Sequence, residues 1–466
     1  MNIFFDETST NLGKNFLKGF CNKIMPVTKI ITFKLPNTDQ FEVKNTDILD
    51  VEYDETISSN YAGMDKTIPI DKGIIDSLNY DSLLTLKMIE RFGSFKGEDD
   101  FEKRVEMFFN HVRFWNHIIE VHKIKIAIFL DIPHEPAAFI IYQLMRAKGK
   151  MTVYHQQIAF LDTYTFEETI KLQKPVKFKK DDFIKENIRL TIEEFSKIDY
   201  IPFYSKNNYK DLKNYDNKFK KLKSIINEII SKKVFFKYIF YRMNKVILDT
   251  RITNFLKKFE ISPDLNKKYI LIPLNYQPEA TTSPKGDIFV YQSLMIKMIS
   301  HSLIDSDWII YIKEHPLQSP TFGRNLKFYM DLVSLKNVFF IKKNLSGRKL
   351  LLSSKALGIV SGTMGLEAIV NEIPVLCFGE IYYKFFHGVF PIETNVQLDQ
   401  AILKIKNGFK PQKKKLLTQL RKIPSNYYHG CSNEGYLEAS KIPYNQNVKN
   451  LVQNLNHYLK SRNFYD

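Results

Sequence analysis

The stretch ALGIVSGTMGLEAIVNEIPVLCFG, Ala356–Gly379, predicts a strand, a turn, a helix and a second strand in close succession. ALGIV and IPVLCF are near-continuous apolar runs of strand length, and the segment between them starts with small residues and continues as a short helix. Two strands that are joined by a crossover helix run parallel in one sheet. The stretch therefore predicts an α/β fold built on a parallel sheet.

The same alternation precedes this stretch. Tyr269–Leu274 and Trp308–Pro316 contain apolar runs that predict strands, and Val290–Ile304 between them predicts a helix. Asn337–Lys343 predicts one more strand. Together these segments predict a complete α/β unit in the second half of the chain.

The first half of the chain repeats the pattern. Strands are predicted at Thr28–Pro36, Ile124–Pro133 and Met151–Phe160. Apolar residues at helical spacing predict a helix at Phe101–Lys123, and Pro136–Lys150 starts with a proline suited to a first helical turn. Strand, helix and strand with short connections indicate a second parallel, doubly wound unit.

These patterns predict two Rossmann-like lobes with a central cleft, a helical connector and a C-terminal helix. We place the N-terminal lobe and connector at residues 1–255, the C-terminal lobe at 256–430 and a helical tail at 431–466. Within the connector, Lys233–Leu248 mixes basic and aromatic residues. This segment is compatible with contact to anionic lipid, although a buried or interdomain helix is favoured about twofold over that alternative.

Composition excludes several classes of protein. A chain of 466 residues with 44% hydrophobic content is too long for one ordinary core and too apolar for wholesale disorder. Its three cysteines lie far apart, which excludes a disulfide framework and a zinc site and fits a reducing cytosol. We expect no signal peptide and no membrane-spanning helix.

The net charge of +17 has more than one interpretation. It is compatible with nucleic acid, a membrane surface or an anionic substrate as partner, and equally with a compositional bias toward lysine. Because no RNP-like stretch, zinc-finger spacing or basic-zipper heptad is present, we expect no nucleic-acid partner.

Small residues at the start of the helix in the opening stretch predict a phosphate site. Ser361, Gly362 and Thr363 allow close backbone approach, and a helix N-terminus favours negative charge. Glu367, about one turn into the helix, can accept hydrogen bonds from a ribose diol. The alternative is an ordinary N-cap with a glutamate that favours the helix dipole.

Three residues at the end of a predicted strand form a second candidate. Lys313 and His315 carry charge suited to a phosphate, Pro316 ends the strand, and Glu314 is expected to be structural. We expect this strand to neighbour the one that ends at Ser361, so that both tips face one crevice. The alternative is a solvated loop.

Two further polar clusters follow predicted strands. The loop that contains Glu279 and Thr282 could contact a ligand, and Asp131, His134 and Glu135 follow a strand of the first lobe. The latter three are candidates for a general base. The alternatives are a surface loop for the first cluster, and a helix cap with a locally bonded histidine for the second.

The order of these motifs resembles that in the bacterial capsule polysaccharide biosynthesis proteins, which include Kdo transferases of the two-lobed GT-B type. The resemblance covers roughly Lys123–Phe160 and Tyr269–Tyr383. The stretches that carry it are DIPHEPAAFIIYQLMRAKG, YILIPLNYQPEATTSPKGD, WIIYIKEHP and SGTMGLEAIVNEIPVLCFG.

The resemblance implies a glycosyltransferase that moves a sugar from a nucleotide donor, with CMP-activated Kdo or a related ulosonic acid as the expected donor. It implies that His315 contacts the CMP phosphate. Donor binding is expected from Gln277, Thr282, Lys313, His315, Pro316, Ser361, Gly362, Thr363 and Glu367. Residues expected at the reacting centre are Asp131, His134, Glu135 and Glu279.

We expect no metal and no cofactor apart from the nucleotide-sugar substrate. The expected acceptor is a glycan or glycolipid of a bacterial surface polysaccharide. We expect a cytoplasmic enzyme with peripheral contact to the anionic inner membrane. The alternatives are a sugar-nucleotide 2-epimerase and a non-catalytic basic protein that binds nucleic acid or glycan.

Overall fold

The structure is a computed structural model. It describes residues 1–24, 26–34, 42–78, 81–93, 101–158, 162–171, 235–277, 282–316, 318, 324–342, 345–420, 428–440 and 442–464. The chain divides into two compact units. Of the described residues, those up to 171 together with 428–464 form the first unit, and 235–420 form the second. Most of the predicted connector, residues 172–234, lies outside the described residues, and the predicted domain boundaries stay a prediction.

The fold class is confirmed, because each unit contains a mainly parallel sheet with connecting helices. Strands of the first unit are β1 Asn2–Phe5, β2 Lys29–Lys34, β3 Asp47–Glu52, β4 Ile126–Phe129, β5 Met151–Ile158 and β6 Thr163–Glu167. Its helices in this part of the chain are α1 Asn11–Lys23, α2 Tyr53–Ser58, α3 Lys72–Leu78, α4 Asp81–Gly93, α5 Phe101–Val121 and α6 Pro136–Ala147.

The second unit alternates regularly between helices and strands. Its strands are β7 Tyr269–Pro273, β8 Ile309–Lys313, β9 Val338–Ile341, β10 Ala356–Ile359, β11 Val375–Cys377 and β12 Val389–Pro391. Its helices are α7 Phe235–Phe259, α8 Gln292–Ser302, α9 Leu326–Val333, α10 Gly347–Ser353, α11 Met364–Val370, α12 Asn395–Lys406 and α13 Lys413–Leu420. The C-terminal elements, which belong to the first unit, are β13 Tyr428–His429, α14 Glu434–Ala439 and α15 Tyr444–Ser461.

The first sheet has the order β13-β6-β5-β4-β1-β2-β3. β1 lies between β2 and β4 and pairs with both in parallel, so that Ile3 is level with Ile30 on one side and with Ile126 on the other. β6 and β13 run antiparallel at one edge. In such a doubly wound sheet the strand order reverses between β1 and β4, and the loops that follow these two strands diverge there.

The second sheet is parallel throughout and has the order β12-β11-β10-β7-β8-β9. The expectation that β8 neighbours β10 is wrong, because β7 lies between them. The physical reason is the winding of the fold. The first strand takes the centre, the chain builds outward through β8 and β9, and it then returns to build β10, β11 and β12 on the other side. The switch point of this unit therefore lies between β7 and β10.

The central strands β1, β4, β7 and β10 are buried along most of their length, which explains their continuous apolar sequences. In β7, Tyr269, Ile270, Leu271 and Ile272 are each 0% exposed. The predicted C-terminal helix forms as α15 and contributes Leu451, Val452, Leu455 and Leu459 to the core of the first unit. Helix α15 approaches α1 closely at Gly19, where a Cβ atom would lie 2.8 Å from Val452 Cγ2. None of the described helices combines the length and apolar character that a membrane span requires.

Candidate functional site

The charged triplet after β8 lies at the carboxyl edge of the second sheet. Lys313 ends the strand and is 7% exposed, although lysine is rarely so buried. The ring of His315 is half-buried and lies 5.4 Å from the ring of Tyr276 between centroids. Pro316, in contrast, is exposed. In this loop Lys313 is therefore buried, His315 is half-buried and Pro316 is exposed.

Glu314, between these two residues, has internal partners. It is 4% exposed, and its Oε1 accepts hydrogen bonds from Arg324 Nη1 at 2.8 Å and from the His315 backbone N–H at 2.6 Å. Its Oε2 accepts a bond from the Tyr329 hydroxyl at 2.8 Å. A buried carboxylate requires such compensation, because desolvation of an unpaired charge is costly.

Arg324 and Asn275 connect this loop to the neighbouring ones. Arg324 Nη2 donates to the backbone carbonyl of Asn275, which follows β7. The side chain of Asn275 donates from Nδ2 to the carbonyl oxygen of Ser361, after β10, at 2.7 Å. Arg324 was missed by sequence analysis, because its partner Glu314 lies ten residues away and no local pattern relates the two.

The loop Ser361–Thr363 follows β10 and has the backbone geometry that its glycine permits. Gly362 has a φ of +117°, which side-chain-bearing residues rarely adopt. Its carbonyl accepts a hydrogen bond from the Tyr383 hydroxyl. Ser361 is 2% exposed, and Thr363 occupies the N-cap position of α11. The loop lies at the switch point of the sheet, where ligands of doubly wound folds bind.

Glu367 forms an ion pair that sequence analysis did not anticipate. Its Oε1 lies 3.0 Å from Nη1 of Arg348 on α10. The start of α10 also lies beside β8, since a Cβ atom on Gly347 would be 3.9 Å from Lys313 Cε. Arg348 thus joins Lys313 as a second cation at this edge of the sheet, and no feature of its local sequence distinguished it from other surface arginines.

Two of the predicted donor-binding residues pack inside the second unit. The amide Nε2 of Gln277 donates to the Val290 carbonyl, and its backbone N–H donates to Gln318 Oε1 at 2.9 Å. Thr282 is 0% exposed, and its carbonyl accepts from the Gly286 N–H at 2.8 Å. Glu279, predicted at the reacting centre, lies outside the described residues.

A cavity of about 360 Å³ lies at the switch point of the first sheet. It brings together the three predicted first-lobe residues, because the segment after β4 forms one of its walls. Its polar lining includes Asp6, Glu7, Tyr53, Asp131, His134, Glu135 and Glu434. The structure therefore assembles Asp131, His134 and Glu135 in a single cavity.

Hydrogen bonds in this cavity distinguish the roles of the three residues. The Nδ1 of His134 lies 2.8 Å from the carbonyl of Ile132, and a carbonyl only accepts. Nδ1 therefore carries the proton, and in the neutral ring Nε2 is the basic nitrogen. Asp131 accepts from the Ile132 N–H at 2.7 Å, and Glu135 accepts from the Tyr53 hydroxyl at 2.8 Å. His134 thus has the tautomer that a general base requires.

Asp6 and Glu7, which follow β1, were missed by sequence analysis. Burial, reinforced by the charge of Glu7, raises the pKa of Asp6 well above its usual value, although its Oδ1 accepts from the Leu130 N–H at 3.0 Å. Burial also raises the pKa of Glu7, against hydrogen bonds from Ser9 and Thr10. The available signal was the position of Asp6 directly after the apolar run Ile3–Phe5.

Among the described residues, no group of histidine, cysteine, aspartate and glutamate side chains is arranged to hold a metal ion.

Each of the two units contains a polar site, and the two sites differ in charge. The first is a mainly acidic cavity with one basic imidazole nitrogen, suited to hydroxyl groups and proton transfer. The second combines the buried Lys313 and the half-buried His315 and Arg348 with a glycine loop, suited to an anionic ligand.

Comparison with known proteins gives one family match. Residues 208–390 match the model of a family described as capsule polysaccharide biosynthesis protein. No curated protein matches the chain.

Several solved structures are distantly similar. Thermosulfurimonas dismutans KpsC, a beta Kdo 2,7 transferase, is 15% identical over 44% of this chain and 61% of its own, with a TM-score of 0.26. UDP-GlcNAc 2-epimerase from Methanocaldococcus jannaschii is 10% identical over 90% of this chain and 98% of its own, with a TM-score of 0.26. A glycosyltransferase from Rickettsia africae ESF-5 is 12% identical over 98% of both chains, with a TM-score of 0.25.

The chain thus spans less than two thirds of the length of the Kdo transferase that it resembles. The family match includes β7 to β11 and the segments that follow β7, β8 and β10. It confirms the resemblance that the sequence motifs indicated, and over residues 208–390 this chain is matched to the capsule polysaccharide biosynthesis proteins.

Proposed function

We propose that this protein is a glycosyltransferase that uses a nucleotide-sugar donor in the assembly of a capsule polysaccharide. The observation that carries the proposal is the grouping of Lys313, His315 and the Gly362 loop at one edge of a doubly wound sheet. This edge is where such folds bind nucleotides, and the residues lie within the family match.

The charge of this edge supports an anionic donor. Lys313 is a buried cation, and Arg348 on α10 lies at the same edge beside Glu367. A CMP-activated sugar acid such as CMP-Kdo carries negative charge on its phosphate and on its carboxylate, and both can be paired by such groups. Lys313 and His315 would stabilise the charge that develops on the leaving nucleotide.

In the proposed reaction an acceptor hydroxyl oxygen bonds to the anomeric carbon of the donor sugar. The bond from that carbon to the phosphate oxygen breaks, and its electron pair leaves on the nucleotide. The hydroxyl proton passes to a base, for which His134 Nε2 is our candidate because Nδ1 is already committed to the Ile132 carbonyl. Asp131 and Glu135, which accept other hydrogen bonds, are secondary candidates.

The acceptor in this proposal is a glycan or glycolipid of the bacterial surface, handled at the cytoplasmic face of the inner membrane. Exposed apolar side chains on α7 support peripheral contact with a membrane. Val246, Ile247 and Leu248 are 63%, 45% and 45% exposed, in a helix that also carries lysine and arginine. Apolar and basic side chains together favour an anionic bilayer surface.

Titration with CMP and with UDP tests the proposal. We expect measurable binding to the wild type and a loss of about 10- to 100-fold in affinity in Lys313→Met and His315→Ala, as is typical when a charged hydrogen bond is removed. His301→Ala is the matched control, because His301 is an exposed histidine on α8.

The proposal fails if the wild type binds neither nucleotide, or if both variants retain full affinity. Product analysis with CMP-Kdo and UDP-GlcNAc, each with and without an acceptor, then separates transfer from epimerisation. An epimerase converts its nucleotide sugar without any acceptor, and that result would contradict the assignment as a transferase.

A further inference from the structure

Three loops of the second unit carry the proposed nucleotide site, and they start from strands that are not all neighbours. The loops follow β7, β8 and β10, and β7 separates the other two. A site built on all three needs a structural connection across β7. Four residues provide one, and we name them the loop network: Glu314, Arg324, Asn275 and Ser361.

The loop network is continuous in its hydrogen bonds. Glu314 Oε1 accepts from Arg324 Nη1 at 2.8 Å, Arg324 Nη2 donates to the Asn275 carbonyl, and Asn275 Nδ2 donates to the Ser361 carbonyl at 2.7 Å. The same Glu314 oxygen accepts the backbone N–H of His315 at 2.6 Å. Glu314 Oε1 is thereby linked directly to His315, the proposed phosphate contact. Through Arg324 and Asn275 it is also linked to the Ser361–Gly362 loop.

Burial makes this connection rigid and specific. The side chains of Arg324 and Glu314 are 0% and 5% exposed. An ion pair shielded from water holds its geometry more strongly than an exposed one, and loss of one partner leaves an uncompensated charge. The Arg324 charge is paired with Glu314, which commits this cation to the interior of the unit.

We propose that Glu314 is a positioning residue of the nucleotide site. It orients His315 through the backbone N–H and sets the position of the Ser361–Gly362 loop through Arg324 and Asn275. The inference rests on the proposed function, since it concerns the same nucleotide site. Glu314, the glutamate of the KEHP stretch, thereby affects ligand affinity without touching the ligand.

The test is a set of CMP titrations on four variants. We expect Glu314→Ala to weaken CMP affinity about 10-fold, because it removes both the acceptor of the His315 N–H and the link to Arg324, and Asn275→Ala to weaken it about threefold, because it breaks only the link to Ser361. In the double variant we expect the same total loss as in Glu314→Ala alone, about 10-fold, since Asn275 acts through a connection that Glu314→Ala already interrupts, whereas independent contributions would multiply to about 30-fold. Glu314→Gln keeps an acceptor for Arg324 and His315 and should retain affinity within about threefold, although it lowers thermal stability because the buried Arg324 charge is left uncompensated.

Tyr329→Phe is the matched control. It removes the one hydrogen bond to Glu314 Oε2 and leaves the Oε1 contacts in place. A purely structural role of Glu314 predicts that Tyr329→Phe and Glu314→Ala differ only in thermal stability, not in CMP affinity. Asn275→Ala keeps the test decisive if Glu314→Ala does not fold, since it leaves the buried ion pair intact.

Unchanged CMP affinity in Asn275→Ala, or multiplied losses in the double variant, would overturn the inference. If His315→Ala loses affinity while the network variants do not, the proposed function stands and the inference alone is wrong. If the wild type binds neither CMP nor UDP, the proposed function is wrong, and this inference falls with it.

Discussion

The switch points of the two units share a backbone plan and differ in charge. In each sheet the first strand lies beside the fourth, and the loops after these strands flank the site. In the first unit, Asp6 follows the first strand and Asp131 lies after the fourth. In the second unit, Asn275 and Ser361, which carry no charge, stand two residues after the first and the fourth strand, respectively.

This difference in charge determines which ligands each site can bind. The acidic side chains at the switch point of the first unit disfavour phosphate, because each carboxylate that is ionised repels it. The amide and hydroxyl groups of the second unit impose no such penalty, and Lys313 adds attraction. The same topology thus supports a site for hydroxyl groups and proton transfer in one unit and for an anionic nucleotide in the other.

Removal of the candidate base should have the largest effect. His134→Ala is expected to slow transfer from the nucleotide-sugar donor to a glycan acceptor by about 10²- to 10⁴-fold, the usual contribution of general base catalysis. CMP affinity should remain unchanged, because that binding is assigned to the second unit. The measurement is kcat together with a CMP titration.

Asp131→Asn is the comparison variant, since its carboxylate already accepts the Ile132 N–H. We expect it to slow transfer less than His134→Ala does. If Asp131→Asn abolishes transfer while His134→Ala does not, the assignment of the base is wrong, although the contrast between the two units remains.

A carboxylate introduced at the switch point of the second unit should strongly weaken nucleotide binding. Ser361→Asp places a carboxylate where the first unit has Asp131, and we expect CMP affinity to fall by about 100-fold through like-charge repulsion. Ser361→Asn, nearly identical in shape and uncharged, separates charge from the steric effect of filling a position that is 2% exposed. Equal losses in both variants would contradict the electrostatic account.

A smaller effect should appear in the pH dependence of stability. The pKa of Asp6 is raised by burial and by Glu7, so between its ordinary pKa, near 4, and its raised pKa the folded protein keeps a proton that the unfolded chain has lost. The contribution of Asp6 to stability therefore decreases as pH rises through this window.

Asp6→Asn removes this titration, because the amide stays neutral. We expect the variant to be more stable than the wild type at neutral pH and to lose this advantage as pH falls toward 4. Urea unfolding at several pH values measures the difference, with the exposed Asp65→Asn as control. A stability difference that is independent of pH would show that Asp6 is ionised in the folded protein.

The strand ends were predictable from the sequence, because a buried parallel strand is a continuous apolar run that stops at its first polar residue. Asp131, Lys313 and Ser361 mark strand ends of this kind, and their role in a site stays a prediction. The strand order was not predictable, because apolar runs carry no information on which strands pair. Arg324 and Arg348 were also missed, since their partners Glu314 and Glu367 are identified only by tertiary contacts.

The contrast between the two units requires that the second unit, and not the first, binds the nucleotide. Hydrogen exchange of backbone amides with and without saturating CMP locates the bound nucleotide. We expect slower exchange at 309–316 and 356–367, with no change at 126–135. Protection confined to 126–135, or the absence of protection at 309–316 and 356–367, would contradict this assignment.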